Sequence, residues 1–213
     1  LIRHLCLLPL ATLLENVGGI HAALRSGASC IIPGLATTGM SYGGLDARKL
    51  IATITAHEPS SLILVPELLR VLVMAAQQGW QAPASLRFIA VGGASVAPEL
   101  LANAAQLGLP VFEGYGLSEC GSVVCLNTPG NNRRGSVGRR LPHVQVRVDD
   151  QQQIIVRNAG MLGYLGDEQG PVSDELATGD LGSIDADGFV HVQGRLKNLL
   201  ITSLGRNIAP EWV

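Results

Sequence analysis

The chain has 213 residues, a formal net charge of −2 and a hydrophobic fraction of 47%, with only 15% of its residues charged. This composition excludes a disordered polar chain and argues against a protein that binds nucleic acid by neutralising phosphates. The length suffices for one large domain or two smaller ones. The four cysteines show neither paired nor metal-ligand spacing, so we expect reduced thiols and a cytoplasmic location (Cys6, Cys30, Cys120 and Cys125).

The chain begins with an apolar run, Leu5 to Leu14, that superficially resembles a secretory signal. Pro9 interrupts the run, Glu15 follows it at once, and it is shorter than the ~20 residues that span a bilayer. We interpret it as core from the interior of a longer protein, and we expect no transmembrane segment.

Strands alternate with helices up to about residue 126. Residues 34–45 carry four glycines and are predicted to form a loop. The pattern predicts helices over 12–26, 46–57, 66–77 and 98–107, and strands over 28–32, 61–65, 87–91 and 110–113. This alternation is typical of an α/β fold with a mostly parallel sheet and helices packed against it.

From about residue 127 the character of the sequence changes. Short apolar runs alternate with polar residues over 144–148 and 153–157, and Asp187-Gly188 separates two further runs in a strong hairpin pattern. We predict a small antiparallel β-barrel-like subdomain over 127–194. Residues 195–213 begin a further element.

The stretch from Gly114 to Glu119, Gly-Tyr-Gly-Leu-Ser-Glu, follows a predicted strand, where ligands bind in α/β layers. Its glycines allow a flat ring to pack close to the backbone at Tyr115. Ser118 can contact a phosphate and Glu119 a hard cation. An ordinary turn with a packed tyrosine and a helix-capping serine would explain the same residues.

Three other short motifs allow both a functional and an ordinary interpretation. Gly92-Gly93-Ala94 can admit a planar base to the backbone or form a plain turn. Thr178-Gly179-Asp180, placed before a strand, offers a carboxylate to two adjacent ribose hydroxyls or forms a turn. Gly194 to Lys197 offers Arg195 as a planar fork for phosphate or ribose oxygens, or forms a solvated basic turn.

The remaining polar residues indicate no further site. The five histidines are scattered without metal-like spacing, and no Gly-x-Ser-x-Gly hydrolase elbow occurs. We predict that the one basic cluster is a solvated loop, because no aromatic residue interrupts it (Arg133, Arg134, Arg139 and Arg140).

These motifs occur in one fixed order, and that order resembles the adenylate-forming enzymes: acyl-CoA synthetases, luciferases and the adenylation relatives of peptide synthetases. The chain is most similar to the long-chain fatty acyl-CoA ligases. The order of three motifs is highly specific to the adenylate-forming enzymes: Gly-Tyr-Gly-Leu-Ser-Glu, then Thr-Gly-Asp, then Gly-Arg-Leu-Lys. Further matching segments are 8–11, 86–95, 135–138, 163–164, 187–189 and 194–210.

The resemblance implies a nucleotide site. Tyr115 would stack on adenine beside Gly116, with Gly93 and Ala94 on the opposite side. Glu113 lies where a polar residue commonly approaches the adenine edge.

It also implies roles at the ribose, the phosphates and the hinge. Ser118 stands for the commoner threonine near the α-phosphate, and Glu119 would hold Mg²⁺. Asp180 would bind the ribose hydroxyls, with Arg195 assisting there or at the phosphate. Lys197 would lie at the hinge of the family's C-terminal domain, as one of three residues expected in the catalytic set with Ser118 and Glu119.

The implied reaction uses ATP, Mg²⁺ and coenzyme A to convert a carboxylic acid, here a fatty acid, into an acyl-adenylate and then a thioester. Two alternatives stay open: an adenylating relative that transfers the acyl group to a carrier protein or an amine, and a non-catalytic nucleotide-binding module. We expect no nucleic-acid partner. Peripheral membrane contact is compatible with the sequence, and the oligomeric state is left open.

Two departures from the family pattern stand out. Thr12 occupies a position where close relatives usually carry a histidine. The family's phosphate loop and its C-terminal lysine domain match nothing in this chain, so residues 1–126 and 127–194 correspond to the second half of the large N-terminal domain. We therefore expect the 213-residue chain alone to be inactive.

Overall fold

The computed structural model describes residues 2–41, 44–158, 160–166, 174–198, 200–201 and 207–208. Within it the chain forms two units, Leu1–Glu113 and Gly114–Val213. The expected boundaries at residues 126 and 194 concern subdomains of a longer enzyme, and they stay predictions.

The first unit is built on a parallel sheet in the order β2-β1-β5-β6-β7. The strands of this unit are β1 (Arg3–Leu5), β2 (Ser29–Ile31), β3 (Met40–Ser41), β4 (Gly44–Leu45), β5 (Ser61–Leu64), β6 (Phe88–Val91) and β7 (Val111–Tyr115), whose last two residues belong to the second unit. Its helices are a π-helical segment (Leu14–His21), α1 (Ala22–Arg25), α2 (Leu35–Thr38), α3 (Ala47–His57), α4 (Pro66–Gln77) and α5 (Pro98–Gln106).

Local sequence signals explain where the helices begin. The Asp46 side chain accepts hydrogen bonds from the backbone N–H groups of Arg48 and Lys49, which caps α3. Pro66 and Pro98 occupy the first turns of α4 and α5, where a missing N–H costs nothing. The apolar sides of α3 and α4 and the central strand β5 share one buried core, which contains Leu50, Leu62, Leu64, Leu69 and Leu72.

The predicted α/β alternation is confirmed, but the prediction for one segment was wrong. Residues 34–45 were expected to be a loop, but they contain the short helix α2 and the hairpin β3–β4. Gly39 ends α2 with φ of 76°, a left-handed conformation that only glycine adopts readily. Gly39 therefore ends a short element here, and it does not prevent structure from forming.

A buried carboxylate joins β1 to the π-helical segment. Glu15 is fully buried and accepts hydrogen bonds from the backbone N–H groups of Leu7 and Leu8, at 3.2 and 2.9 Å. The Nε2 atom of His4 lies 2.8 Å from Glu15 Oε1, and Ser61 Oγ bonds the other ring nitrogen of His4. These partners satisfy a charge that would otherwise be costly to bury.

The second unit is antiparallel. It contains β8 (Cys125–Leu126), β9 (Arg139–Arg140), β10 (Gln145–Val148), β11 (Gln153–Arg157), β12 (Glu175–Ile184), β13 (Val190–Arg195), β14 (Leu200–Ile201) and β15 (Asn207–Ile208). The end of β7 pairs with β8 and β8 with β9, while β10 to β13 form a four-stranded meander. The predicted fold class, a parallel sheet with helices and an antiparallel half-barrel, is confirmed.

The basic cluster is solvated, as expected: Arg134, Arg139 and Arg140 are exposed and Arg133 is partly exposed, although Arg139 and Arg140 lie in β9 and not in a loop. The Arg133 guanidinium bonds the carboxylates of Asp185 and Asp187 at the β12–β13 turn. The guanidinium carbons of Arg133 and Arg139 lie over the Phe189 ring, 4.4 and 4.6 Å from its centroid. Residues distant in sequence supply the aromatic and acidic partners, so a local pattern could not reveal them.

Among the described residues, no helix combines the length and the apolar character needed to cross a bilayer.

A substitution at Gly19 would test how closely the chain packs around Glu15. A Cβ atom at Gly19 would lie 2.2 Å from Glu15 Oε1 and 2.6 Å from His4 Nε2. Alanine is intrinsically the better helix former, yet we expect Gly19→Ala to lower the free energy of unfolding by about 1–3 kcal/mol through overpacking. Urea denaturation measures the change.

The matched control is the double variant Gly19→Ala/Glu15→Ala. Removing the Glu15 carboxylate opens space for the new methyl group, so the two losses should be strongly non-additive. Additive losses, or a Gly19→Ala variant as stable as the parent, would contradict this packing.

Candidate functional site

The Gly114–Glu119 stretch lies partly in a strand. The sequence predicted that the strand ends at Glu113, but β7 continues through Tyr115 and pairs with Cys125. At Gly116 a Cβ atom would lie 1.6 Å from the carbonyl oxygen of Ser122. Gly116 is therefore required for a close backbone approach that closes the stretch into a tight turn.

Asp180 lies inside β12, whereas the sequence predicted that it precedes a strand. Its register partner on β13 is Arg195, whose Nε forms an ion pair with Asp180 Oδ1 at 3.0 Å. The Tyr115 hydroxyl donates to Asp180 Oδ2 at 2.6 Å. Asp180 is only 4% exposed, so three residues predicted separately from the sequence form one cluster around a buried carboxylate.

The Tyr115 hydroxyl is held in its protonated form. Burial, followed by the hydrogen bond to Asp180, raises the pKa of Tyr115 well above its ordinary value. The hydroxyl therefore acts as a donor to the carboxylate at any physiological pH.

Ser118 and Glu119 lie in a 3₁₀ turn, Ser118–Cys120, directly after this strand. Ser118 is exposed and Glu119 is partly exposed. The Tyr164 hydroxyl donates to Glu119 Oε1 at 3.0 Å. A carboxylate has about four acceptor positions, so Glu119 retains capacity for a hard cation such as Mg²⁺.

Tyr164 was not among the predicted site residues. Its only signal in the sequence was its place in a segment, residues 163–164, that matches the adenylate-forming enzymes. The contact with Glu119 spans 45 positions, and no spacing rule would predict it.

The other predicted residues lie on separate elements. Gly93 and Ala94 are exposed in the turn after β6, and Gly93 has φ of 80°. Glu113 lies in β7, where burial raises its pKa from 4.5 to about 7. Lys197 is exposed in the 3₁₀ turn Leu196–Asn198.

A second group of ligand-type side chains escaped the sequence analysis. Atoms of His4, Cys6 and Glu15 all lie within 4.8 Å of one another, and all three residues are buried. Burial, followed by the nearby Glu15 charge, raises the pKa of Cys6 to about 12, so its thiol keeps its proton. With Glu15 already bonded to His4 and to two backbone N–H groups, we interpret the group as a structural network.

Known proteins resemble this chain over most of its length. The profile of the AMP-binding enzyme family matches residues 2–165. A long-chain-fatty-acid–CoA ligase of Mycobacterium bovis is 35% identical over 56% of this chain. A 2-succinylbenzoate–CoA ligase of Lactococcus lactis is 30% identical over 88% of it. The chain spans 21% and 42% of the lengths of these two relatives.

A solved structure shares the fold. The O-succinylbenzoate coenzyme A synthetase of Bacillus subtilis, in complex with ATP and a magnesium ion, is 26% identical with a TM-score of 0.76. The match covers 99% of this chain and 45% of that protein.

The raised pKa of Glu113 predicts a pH dependence of stability. Between pH 4.5 and about 7 the folded carboxyl keeps a proton that the unfolded one has lost, so folding stability falls as pH rises through this window. Glu113→Gln should remove this contribution and stabilise the chain at pH 8 by on the order of 2 kcal/mol more than at pH 4.5.

Denaturant titrations of the parent and the variant at both pH values measure the difference. Glu67→Gln makes the same change at an exposed position of α4 and is the matched control for the substitution itself. A Glu113→Gln variant with the parent's full pH dependence would contradict the assignment.

Proposed function

Because the chain belongs to the AMP-binding enzyme family, we propose that the intact protein activates a carboxylic acid with ATP and transfers the acyl group to coenzyme A. The acid is proposed to be a fatty acid. The activity of the 213-residue chain on its own stays a prediction, namely that it is inactive.

The observation that carries the proposal is the buried Asp180 carboxylate. Its two oxygens are oriented by Tyr115 and Arg195, and a carboxylate held in this way suits two adjacent hydroxyls, such as those of a ribose. An ordinary turn aspartate would be exposed, whereas Asp180 is 4% exposed inside a strand. This burial supports a recognition role over the ordinary one.

The adenine side of the site is assigned by the same reasoning. Tyr115 offers an aromatic ring whose hydroxyl is bonded to Asp180, and we propose that this ring stacks on adenine. We propose that Gly116 allows the backbone to approach that ring, that Gly93 and Ala94 provide the other adenine contact, and that Glu113 approaches the adenine edge.

The phosphate side is proposed at Ser118 and Glu119. The Ser118 hydroxyl is exposed and available to an α-phosphate oxygen, and the partly exposed Glu119 carboxylate fits Mg²⁺. When bound, the ion would neutralise charge on the phosphates. Arg195 has a side chain 61% exposed, so its guanidinium can also reach ribose or phosphate oxygens.

The reaction proposed for these residues requires no protein nucleophile. The substrate carboxylate oxygen attacks the α-phosphorus in line, and the bond to the leaving pyrophosphate breaks. The thiolate of coenzyme A then attacks the acyl carbon, and AMP leaves with the electron pair of the acyl–oxygen bond. Catalysis rests on positioning and on fixed charges around the phosphate.

The acid and the acceptor are the least constrained parts of the proposal. One relative acts on long-chain fatty acids and another on 2-succinylbenzoate, by their names. A pyrophosphate-exchange screen of the intact protein across fatty and aryl acids would identify the acid. Transfer to a carrier protein or an amine, or nucleotide binding without exchange, would indicate one of the two alternatives. We propose that the reaction takes place in the cytoplasm.

Glu119→Gln tests the metal assignment. The change keeps the shape of the side chain and the Tyr164 contact but removes the charge, so acyl-dependent ATP–pyrophosphate exchange should fall by roughly 100-fold or more. Raising the Mg²⁺ concentration should recover part of the loss. Glu99→Gln, at an exposed position of α5, is the control. Unchanged exchange in Glu119→Gln would reject the role.

Lys197 is proposed to serve a domain rotation, because it lies where β13 has ended and a new turn begins. Lys197→Pro fixes φ near −65° and should impair one half-reaction far more than the other. Lys197→Ala removes the charge but not the rotation, and it should affect both half-reactions mildly. Separate assays of adenylate formation and of thioester formation measure the loss in each half-reaction. Equal losses in Lys197→Pro would indicate an ordinary active-site or structural residue.

A further inference from the structure

The Asp180 carboxylate is restrained from two sides. Arg195 Nε, on β13, forms an ion pair with Oδ1 at 3.0 Å, and the Tyr115 hydroxyl, on β7, donates a hydrogen bond to Oδ2. Because a different partner holds each oxygen, rotation of the carboxylate about its χ2 angle would break the hydrogen bond and weaken the ion pair. The orientation of the carboxylate is therefore defined by its neighbours before any ligand arrives.

The two restraints differ in strength. The Arg195 side chain is 61% exposed, so water weakens its ion pair with Asp180. The Tyr115 hydroxyl is 2.6 Å from Oδ2 and partly buried, within the range of short charge-assisted O–H···O⁻ bonds. Tyr115 is therefore the firmer of the two.

Both carboxylate oxygens keep acceptor capacity. Each oxygen has two lone pairs. Among the described residues, Oδ2 accepts one hydrogen bond from Tyr115, and Oδ1 is paired with Arg195. By this count each oxygen retains acceptor capacity for one further donor. Two hydroxyls on adjacent carbons match this pair of acceptors.

We infer that Tyr115 is a positioning residue for ribose recognition, in which its hydroxyl orients the Asp180 carboxylate toward the 2′- and 3′-hydroxyls of ATP. This inference rests on the proposed function and deepens it. A side chain expected only to stack on the base thereby also determines how strictly the site requires a ribose.

Tyr115→Phe separates the two roles, because it keeps the ring and removes the hydroxyl. Without its firmer restraint, Asp180 should accept the 2′-hydroxyl less well, while contact with the base is retained. We expect the preference for ATP over 2′-deoxy-ATP, as the ratio of kcat/KM values, to fall by about tenfold, the size of a hydrogen bond to a charged group.

The measurement is acyl-dependent ATP–pyrophosphate exchange by the intact protein with ATP, 2′-deoxy-ATP and inosine triphosphate. The preference for ATP over inosine triphosphate reports on the base and should not change in Tyr115→Phe. In an Asp180→Ala background the ribose preference should already be lost, and adding Tyr115→Phe should have no further effect on it. If Tyr115→Phe fails to fold, Tyr115→Met supplies a second side chain without a hydroxyl.

Two results would overturn the inference and leave the proposed function standing. The first is a parent protein that uses ATP and 2′-deoxy-ATP equally well. The second is a Tyr115→Phe variant that loses activity with these two nucleotides in parallel and keeps the parent's ratio of kcat/KM values. The latter would make Tyr115 only a stacking surface or a structural residue. An intact parent that supports no exchange with any acid would overturn the proposed function, and this inference with it.

Discussion

The second unit depends on the burial of one carboxylate. Asp180 is taken almost wholly out of water in the middle of β12, and such a charge is tolerated only where donors replace the lost water. The partners are Tyr115 of β7, which donates a hydrogen bond, and Arg195 of β13, which forms an ion pair. One cluster therefore ties together the strand that leads into the Gly-Tyr-Gly turn and the hairpin that ends at Arg195.

The first unit also contains a buried carboxylate, and its role is structural. Glu15 receives two backbone N–H groups and the His4 ring, and the surrounding helix packs so closely that Gly19 has no room for a methyl group. Such a site is closed and serves the fold. Asp180 is held by side chains instead, and it retains acceptor capacity on both oxygens. The two buried carboxylates thus differ in how much hydrogen-bond acceptor capacity their protein partners leave unoccupied.

The acidic turn of the β12–β13 hairpin shows the same dependence on distant partners. Arg133 pairs with Asp185 and Asp187, and the guanidinium groups of Arg133 and Arg139 both lie over the Phe189 ring. Cation–π and ion-pair contacts of this kind orient the loop of residues 127–138 against the hairpin. A Gly- and Arg-rich segment without regular structure is thereby given a defined position.

The sequence by itself determined the α/β alternation, the caps at Asp46, Pro66 and Pro98, the hairpin at Asp187-Gly188 and the family, because these depend on local chemistry and on motif order. It also singled out Tyr115, Asp180 and Arg195, but as unrelated candidates. Only the tertiary structure decided that they form one cluster, that Tyr164 reaches Glu119, and that Arg133 is paired, because the contacts of Tyr115 with Asp180, of Tyr164 with Glu119 and of Arg133 with Asp185 span 45 or more positions. Their energies depend on burial and register, which strand pairing across the fold creates and no local pattern encodes.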